Sequence, residues 1–406
     1  MRAPRRVAVV GGGMAGLATA WFLQDGGAQV TVYERDRVAA GASWGNAGWL
    51  SPGFVAPLPE PAVLRYGARA VISPRSPVYL PLRADLELLR FLVSFVRHST
   101  PGQWRRGMSS YVPLLRRALE AFDEVGLDTP TPPAEPLLAC YRDERETGGL
   151  LHELAGIRAA GHAVSAEKLT GEQARSLAPN LTAEVGAAIR VRGQRYLDPP
   201  AYVRALADAV VARGGTLREG VAVARIDAGA DDVAVGQDRH DAVVVATGAW
   251  LGGLARRFGV RRVVQAGRGY SFSVPVEAMP SGPLYFPAQR VACTPLGNRL
   301  RIAGMMEFRR PDEPLDPRRI AAIIDAVRPF LSGVDLDDRQ DEWVGSRPCT
   351  ADGLPLLGRT SSPRVFVCGG HGMWGIALGP VTGRLVARTV LEGETPPELR
   401  PFDPLR

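Results

Sequence analysis

Val7-Ala8-Val9-Val10-Gly11-Gly12-Gly13-Met14-Ala15-Gly16-Leu17-Ala18-Thr19-Ala20-Trp21-Phe22-Leu23 reads as strand, glycine turn and helix. The short apolar run suits a strand buried on both faces of a parallel sheet. Each glycine has a job: Gly11 makes the tight turn, Gly13 lets the backbone approach a pyrophosphate, and Gly16 lets the helix lie close to the strand. Phosphates would sit at the helix N-terminus, where unpaired N–H groups and the positive dipole end point at them. Gly26-Gly27-Ala28 ends the helix, Gln29 to Tyr33 forms a second strand, and Glu34 stands at its end. An acid there accepts hydrogen bonds from both hydroxyls of an adenosine ribose and disfavours a 2′-phosphate. The βαβ unit therefore predicts FAD or NAD on an α/β fold.

With 406 residues the chain has room for two domains. Ordinary hydrophobic (46%) and charged (22%) fractions exclude a disordered or collagen-like protein. The net charge of +7 is almost wholly arginine, with Lys168 the single lysine, and Arg116 and Arg117 lie among acids on a helical face. No basic stripe interleaved with aromatics accompanies it, so no nucleic-acid partner is expected. Cys140, Cys293, Cys349 and Cys368 lie far apart and form no CxxC pair, which predicts neither a disulfide framework nor a metal site. The apolar run near the N-terminus is cut by Gly11, Gly12, Gly13 and Gly16, and no stretch of about 20 apolar residues occurs, so no membrane span is expected.

The segment Gly41-Ala42-Ser43-Trp44-Gly45-Asn46-Ala47-Gly48-Trp49-Leu50-Ser51-Pro52-Gly53 resembles the corresponding segment of the FAD-dependent D-amino-acid oxidase superfamily. The resemblance is strongest to bacterial D-amino-acid dehydrogenase small subunits, with their serine, aromatic, Asn-Ala-Gly and Ser-Pro-Gly. It implies FAD held at Gly11, Gly13, Met14, Ala15, Gly16, Glu34 and Arg35, with Ser43, Asn46, Ala47 and Gly48 around the pyrophosphate and ribityl chain. Further on, Asp198-Pro199-Pro200, a helix from Tyr202 to Arg213, Gly214-Gly215 and a strand from Thr216 to Ile226 match a unit of the same family that places a valine, here Val223, over the adenine. The strand Asp241 to Ala246 runs into Thr247-Gly248, the second flavin signature of such folds.

Val260 to Val274 and Leu284 to Met306 alternate apolar and polar residues, as antiparallel strands do. The expected fold is α/β, α+β overall. A Rossmann-like FAD-binding domain of the glutathione-reductase type, residues 1–58, 151–252 and 341–406, accompanies a mainly antiparallel substrate domain, residues 59–150 and 253–340. In the family pattern, Arg347 of Gly345-Ser346-Arg347-Pro348 binds the substrate carboxylate, and a guanidinium fork suits that role because it holds both oxygens at once. Ala351 departs from the family's proline before Asp352. Arg268-Gly269-Tyr270-Ser271 resembles a family strand, with Tyr270 a candidate to meet the substrate and Ala266 where many members have proline. After the strand Val365 to Cys368, the turn Gly369-Gly370-His371-Gly372-Met373-Trp374-Gly375 opens a helix from Ile376 to Leu391. Backbone N–H groups of Gly372, Met373, Trp374 and Gly375 are expected on the flavin. His371 is expected to be a held turn residue, and Trp44, Trp49 and Trp374 to line a pocket.

Cys349 lies only three residues before Asp352, the wrong offset for a flavin-linking cysteine, so noncovalent FAD is expected. The resemblance implies oxidative deamination of a small amino acid, of D configuration, to a 2-oxo acid and ammonia, by hydride transfer from Cα to flavin N5. Electrons would pass to a quinone or another carrier rather than O2. Glycine, sarcosine or a cyclic imino acid such as proline are alternative substrates. A tRNA-modifying flavoprotein or a non-catalytic flavin-binding subunit are readings of another class. A strongly apolar helix, Leu86 to Val96, flanked by Arg83, Arg90 and Arg97, allows peripheral contact with a membrane from the cytoplasmic side.

Overall fold

The computed structural model describes residues 4–61, 73, 75–80 and 85–406. The first strand, Arg6–Val10, lies inside a six-stranded sheet, parallel to Gln29–Tyr33 on one side and Ala242–Val245 on the other. Thr216–Arg218 extends the sheet beyond Gln29–Tyr33, and Val365–Gly369 then Leu356–Arg359 extend it the other way, the last of these antiparallel. The apolar run was legible because both faces are covered: Val7 and Val9 join one core cluster, Ala8 and Val10 another.

The helix Met14–Asp25 follows the glycine turn and packs on the helix Gly375–Glu392. Two glycines permit that approach: a Cβ on Gly379 would overlap Met14 Cγ, and one on Gly383 would stand 2.7 Å from Thr19 N. The contact ties the N-terminal nucleotide motif to the C-terminal glycine turn.

The second layer is a nine-stranded sheet. From one edge it runs Gln340–Thr350, Val264–Val274, Arg299–Phe308, Val291–Leu296, Leu284–Phe286, Leu137–Tyr141, Ala187–Val191 and Ala166–Thr170, with Val78–Tyr79 pairing beside Arg299–Phe308. Most pairs are antiparallel, as the alternation predicted. Residues 166–170, 187–191 and 341–350, assigned from sequence to the cofactor-binding domain, lie in strands of this sheet. Leu137–Tyr141 recruits them by direct pairing with Ala187–Val191, which the sequence pattern alone does not reveal.

The segment Thr216 to Ile226 is not one strand. Thr216–Arg218 pairs with the parallel sheet, whereas Ile226–Ala228 starts a separate three-stranded sheet, and Val223 lies in irregular backbone between them. Gly220 sits at φ +72°, where the chain leaves the first sheet. Val223 is half-buried against the apolar cluster that includes Val10, Tyr33 and Val245.

The helix Leu86–His98 buries Leu88, Phe91 and Phe95, and leaves Leu86, Leu89, Val93 and Val96 exposed beside Arg90 and Arg97. Arg83 lies outside the described residues. Among the described residues no helix is long and apolar enough to cross a membrane.

Candidate active site

The two faces of the large sheet are chemically unlike. Strand alternation puts Gly267, Gly269 and Ser271 on one face, with Arg347, Gly345 and Trp343 paired to them in turn, and Ala303, Ala292 and Tyr285 continuing the row. Most of these residues are small, so the face is shallow. The opposite face carries Tyr270, Phe272, Ile302, Cys293 and Leu284, and is filled by Ile320, Ile323, Ile324 and Val327 of the helix Pro317–Val327.

The shallow face meets the segment that follows the nucleotide motif. Trp49 Nε1 donates to Thr294 Oγ1 (2.9 Å), which donates to the Ala47 carbonyl (2.7 Å). Arg301 Nη1 reaches the Trp44 carbonyl at 3.4 Å. Asn46 Oδ1 accepts from Gly48 N–H (2.8 Å), and Gly48 has φ +78°, so this pair shapes the turn of the segment. Trp44 lies under Arg301, 5.2 Å from ring centroid to guanidinium carbon.

Arg347 occupies the shallow face half-buried. A Cβ on Gly269 would overlap its guanidinium, so the fork lies directly on that glycine. Nη1 donates to the Met305 carbonyl (2.8 Å), which is turned toward it by a β-bulge between the partners of Arg268 and Tyr270. Met305 itself sits at φ +67°, an unusual conformation for its type, and bulges of this kind recur beside active sites. Among the described residues Arg347 pairs with no carboxylate. Of the two acids five residues away, Asp352 is held by Arg406 (3.0 Å) and Arg262 (3.7 Å), and Glu342 by Arg339 (3.0 Å). Desolvation lowers the arginine's pKa, yet a guanidinium stays charged in proteins. A guanidinium in such a setting can hold an anion, and its planar fork suits a carboxylate.

Tyr270 is not part of this arrangement. It is buried on the opposite face, where its hydroxyl donates to Glu307 Oε1 (2.6 Å) within a group that includes Arg268, Arg309 and Arg319. Alternation explains the difference: Tyr270 lies an odd number of positions along the strand from Gly267 and Gly269, which face Arg347.

The C-terminal glycine turn is joined to the same strand. Cys349 bridges His371, and Gly372 N–H donates to the Pro348 carbonyl (2.8 Å). Gly372 has φ +56°. Trp374 Nε1 donates to the Ala56 carbonyl (2.8 Å), and Met373 packs against the apolar cluster that includes Cys349 and Met306. Gly375 begins the helix, whose N-terminus has no side-chain cap. His371 is buried, and that burial pushes its pKa down to about 4. Thr382 Oγ1 donates to the Leu378 carbonyl (2.8 Å), so at 3.0 Å it accepts from His371 Nε2–H. The histidine is a neutral, held turn residue.

At the nucleotide end, Gly11 has φ +119°, and a Cβ there would overlap the Ala246 carbonyl. A Cβ on Gly16 would overlap the Gly11 carbonyl. Gly13 caps the helix with no side-chain oxygen, while Ser43 Oγ accepts from Met14 N–H (3.2 Å). Glu34 leans over the turn and accepts from Gly12 N–H (2.7 Å) and Asp36 N–H (3.0 Å). Ala15 follows Met14 in the first helical turn, beside the glycines. Arg35 stacks on Trp250, 3.7 Å from its ring centroid, and both contact Asp312. Thr247 Oγ1 is buried with no hydrogen-bond partner among the described residues, and Gly248 follows at φ +56°. An orphaned hydroxyl beside a glycine cradle and an uncapped helix N-terminus fit a dinucleotide.

Residues 6–389 match the family described as DAO, FAD dependent oxidoreductase. The chain belongs to that family. This FAD-dependent oxidoreductase is 27% identical to a D-amino acid dehydrogenase of Cereibacter sphaeroides, over 96% of this chain and 92% of the relative. It is 26% identical to one of Azorhizobium caulinodans, over 96% and 97%. Its fold is shared with the solved glycine oxidase from Geobacillus kaustophilus, with a TM-score of 0.74, 24% identity and 99% of each chain covered. FAD is thus the cofactor of this oxidoreductase. Sequence reading missed Gly269, Gly345, Met305 and Trp343 as parts of the site. The Arg-Gly-Tyr-Ser and Gly-x-Arg strings carry the first two, once their strands are known to pair.

Proposed function

We propose that this enzyme oxidises a small amino acid of D configuration at Cα, giving an imino acid that water converts to a 2-oxo acid and ammonia. The observation that carries the reading is Arg347, a cation without a carboxylate partner among the described residues, lying on a glycine floor that faces the cofactor segment. The names of the D-amino acid dehydrogenase relatives support the same substrate class. Bound FAD supplies the acceptor for the hydride that leaves Cα. The chain's own residues do the rest. Arg347 holds both carboxylate oxygens and thereby fixes Cα, since a bidentate contact sets orientation as well as position. The Met305 carbonyl takes one of its N–H groups and keeps the fork in plane. Met373 and Gly375 offer backbone N–H groups and a helix N-terminus to negative charge that develops on reduction, whereas the N–H groups of Gly372 and Trp374, also expected on the flavin from the sequence, are taken by the Pro348 and His371 carbonyls. His371 is spoken for by Thr382 and takes no proton, so the substrate amine must arrive neutral.

The FAD is held without a covalent bond in this reading. Cys349 is buried, and burial pushes its thiol up to about 12, which keeps it protonated and unreactive. The acceptor is a quinone or another carrier, met at a membrane surface by the exposed stripe Leu86, Leu89, Val93 and Val96 with Arg90 and Arg97 at its edge. Flotation with anionic vesicles tests that contact, and its loss on Leu89→Glu is the expected result.

The decisive experiment is anaerobic. The holoenzyme is mixed with D- and L-amino acids, glycine, sarcosine and proline, and the loss of oxidised-flavin absorbance is followed. Rapid bleaching by small D-amino acids, abolished in Arg347→Ala, is expected. A flavin that none of them bleaches overturns the reading.

A further inference from the structure

Trp343 touches both halves of the site. It precedes Arg347 by four residues on one strand, so alternation puts both side chains on the shallow face with Gly345 between them. The missing Cβ of Gly345 lets the indole lie down, because a Cβ there would overlap Cη2 and Cζ2 of the ring. Another edge of the same ring carries the cofactor segment. A Cβ on Gly45 would overlap Cε3 and Cδ2, and would stand 2.7 Å from Ser271 Oγ. One rigid indole is therefore packed between backbone from the sheet and backbone from the segment Ser43 to Gly48. Neither glycine can gain even a methyl group without moving the other. Ser271 Oγ beside it is buried and has no hydrogen-bond partner among the described residues.

We propose that Trp343 is a positioning residue that sets the spacing between the cofactor segment and the Arg347 strand, and with it the distance from bound flavin to substrate Cα. The proposal rests on the reading of Arg347 as the carboxylate anchor. Its physical basis is the steep dependence of such reactions on placement: an error of about 1 Å can cost roughly a hundredfold in rate. A tryptophan suits the task because its ring is rigid, with only two side-chain torsions to fix. Its contact with two glycines leaves backbone, not flexible side chains, on both sides of the spacer.

The test uses FAD-loaded wild type, Gly45→Ala, Trp343→Ala, the double variant and Trp343→Phe. FAD stoichiometry, the absorption spectrum of bound flavin, and the rate of its anaerobic reduction by saturating D-alanine are measured. Gly45→Ala is expected to retain FAD, shift the spectrum and slow reduction by about ten- to a hundredfold, with little change in KM. In the Trp343→Ala background the indole that the added methyl group strikes is gone and only the Ser271 hydroxyl stays close, so Gly45→Ala is expected to cost little further. Trp343→Phe, which keeps a six-membered ring, is expected to recover part of the rate. Effects of Gly45→Ala and Trp343→Ala that simply multiply overturn the proposal. So does a Trp343→Ala enzyme whose melting temperature falls while spectrum and reduction rate stay put. If Trp343→Ala does not hold FAD, the same coupling is read between Gly45→Ala and Trp343→Phe. Should the substrate panel leave wild-type flavin oxidised, the amino-acid reading fails by itself, while a non-additive spectral shift still supports the Gly45–Trp343 coupling and an additive one still overturns it.

Discussion

The guanidinium of Arg347 lies on the backbone of Gly269, its diagonal neighbour on the adjacent strand, so that the cation and the glycine form one feature. The direct partner of Arg347 is Gly267, and Gly345 faces Gly269. Three glycines on two strands are a weakness in a sheet, because each forfeits packing and adds entropy to the unfolded chain. Here Gly269 makes room for a flat cation and Gly345 for the Trp343 ring beside it.

Removing the cation removes charged hydrogen bonds worth about 1.5–3 kcal/mol in all. Arg347→Ala is therefore expected to raise the substrate dissociation constant about ten- to a hundredfold, with FAD retained. Arg347→Lys should not restore it, since an ammonium lacks the fork. Gly269→Ala should resemble Arg347→Ala, because the new methyl group displaces the guanidinium. Stopped-flow flavin reduction across a substrate titration checks all three. Normal binding in Gly269→Ala would show that the fork has somewhere else to go.

Tyr270 serves the opposite face, and its variant separates structure from chemistry. Tyr270→Phe takes a hydrogen bond from the buried Glu307 carboxylate, a loss of about 1–3 kcal/mol of stability. Rate and KM are expected to stay near wild type. Denaturant unfolding beside steady-state kinetics checks this, and a collapse in rate at unchanged stability would place the hydroxyl in the reaction.

The nucleotide half of this protein was legible because its signals are local. Gly11, Gly13, Gly16 and Glu34 fall within one βαβ unit, where strand, turn and helix follow each other in sequence. Arg347 was legible from a motif of similar compactness. Tyr270 was misplaced because a face is decided by register against a partner strand, and Val264–Val274 finds its partner about eighty residues later. The domain limits moved for the same reason, since Leu137–Tyr141 and Ala187–Val191 are distant in sequence but adjacent in the sheet. The significance of Gly269, Gly345 and Trp343 appears only once that register is known.

Glu34 holds two backbone N–H groups at the edge of the glycine turn. Glu34→Ala leaves both unpaired and removes the acceptor for a ribose, so FAD affinity is expected to fall by about 1–3 kcal/mol. Titration of apoprotein with FAD, read by quenching of flavin fluorescence, measures it. Unchanged affinity would mean that the carboxylate serves only to shape the turn.

His371 makes the sign of acid destabilisation specific. Its pKa is about 4 in the folded protein, against 6.5 ordinarily, because burial disfavours the charged ring. Between those values the unfolded chain binds more protons than the folded one, so stability is fully present above about pH 6.5 and is lost as pH falls toward 4. The full effect of this one group is ~3 kcal/mol at most. His371→Gln keeps a donor for Thr382 but does not titrate in this range, and should flatten that part of the profile. Urea midpoints of both proteins across the interval give the difference directly. The same neutrality means that flavin reduction should follow deprotonation of the substrate amine, with no inflection from His371. A rate profile that loses an inflection near its pKa in His371→Gln would return the histidine to the chemistry.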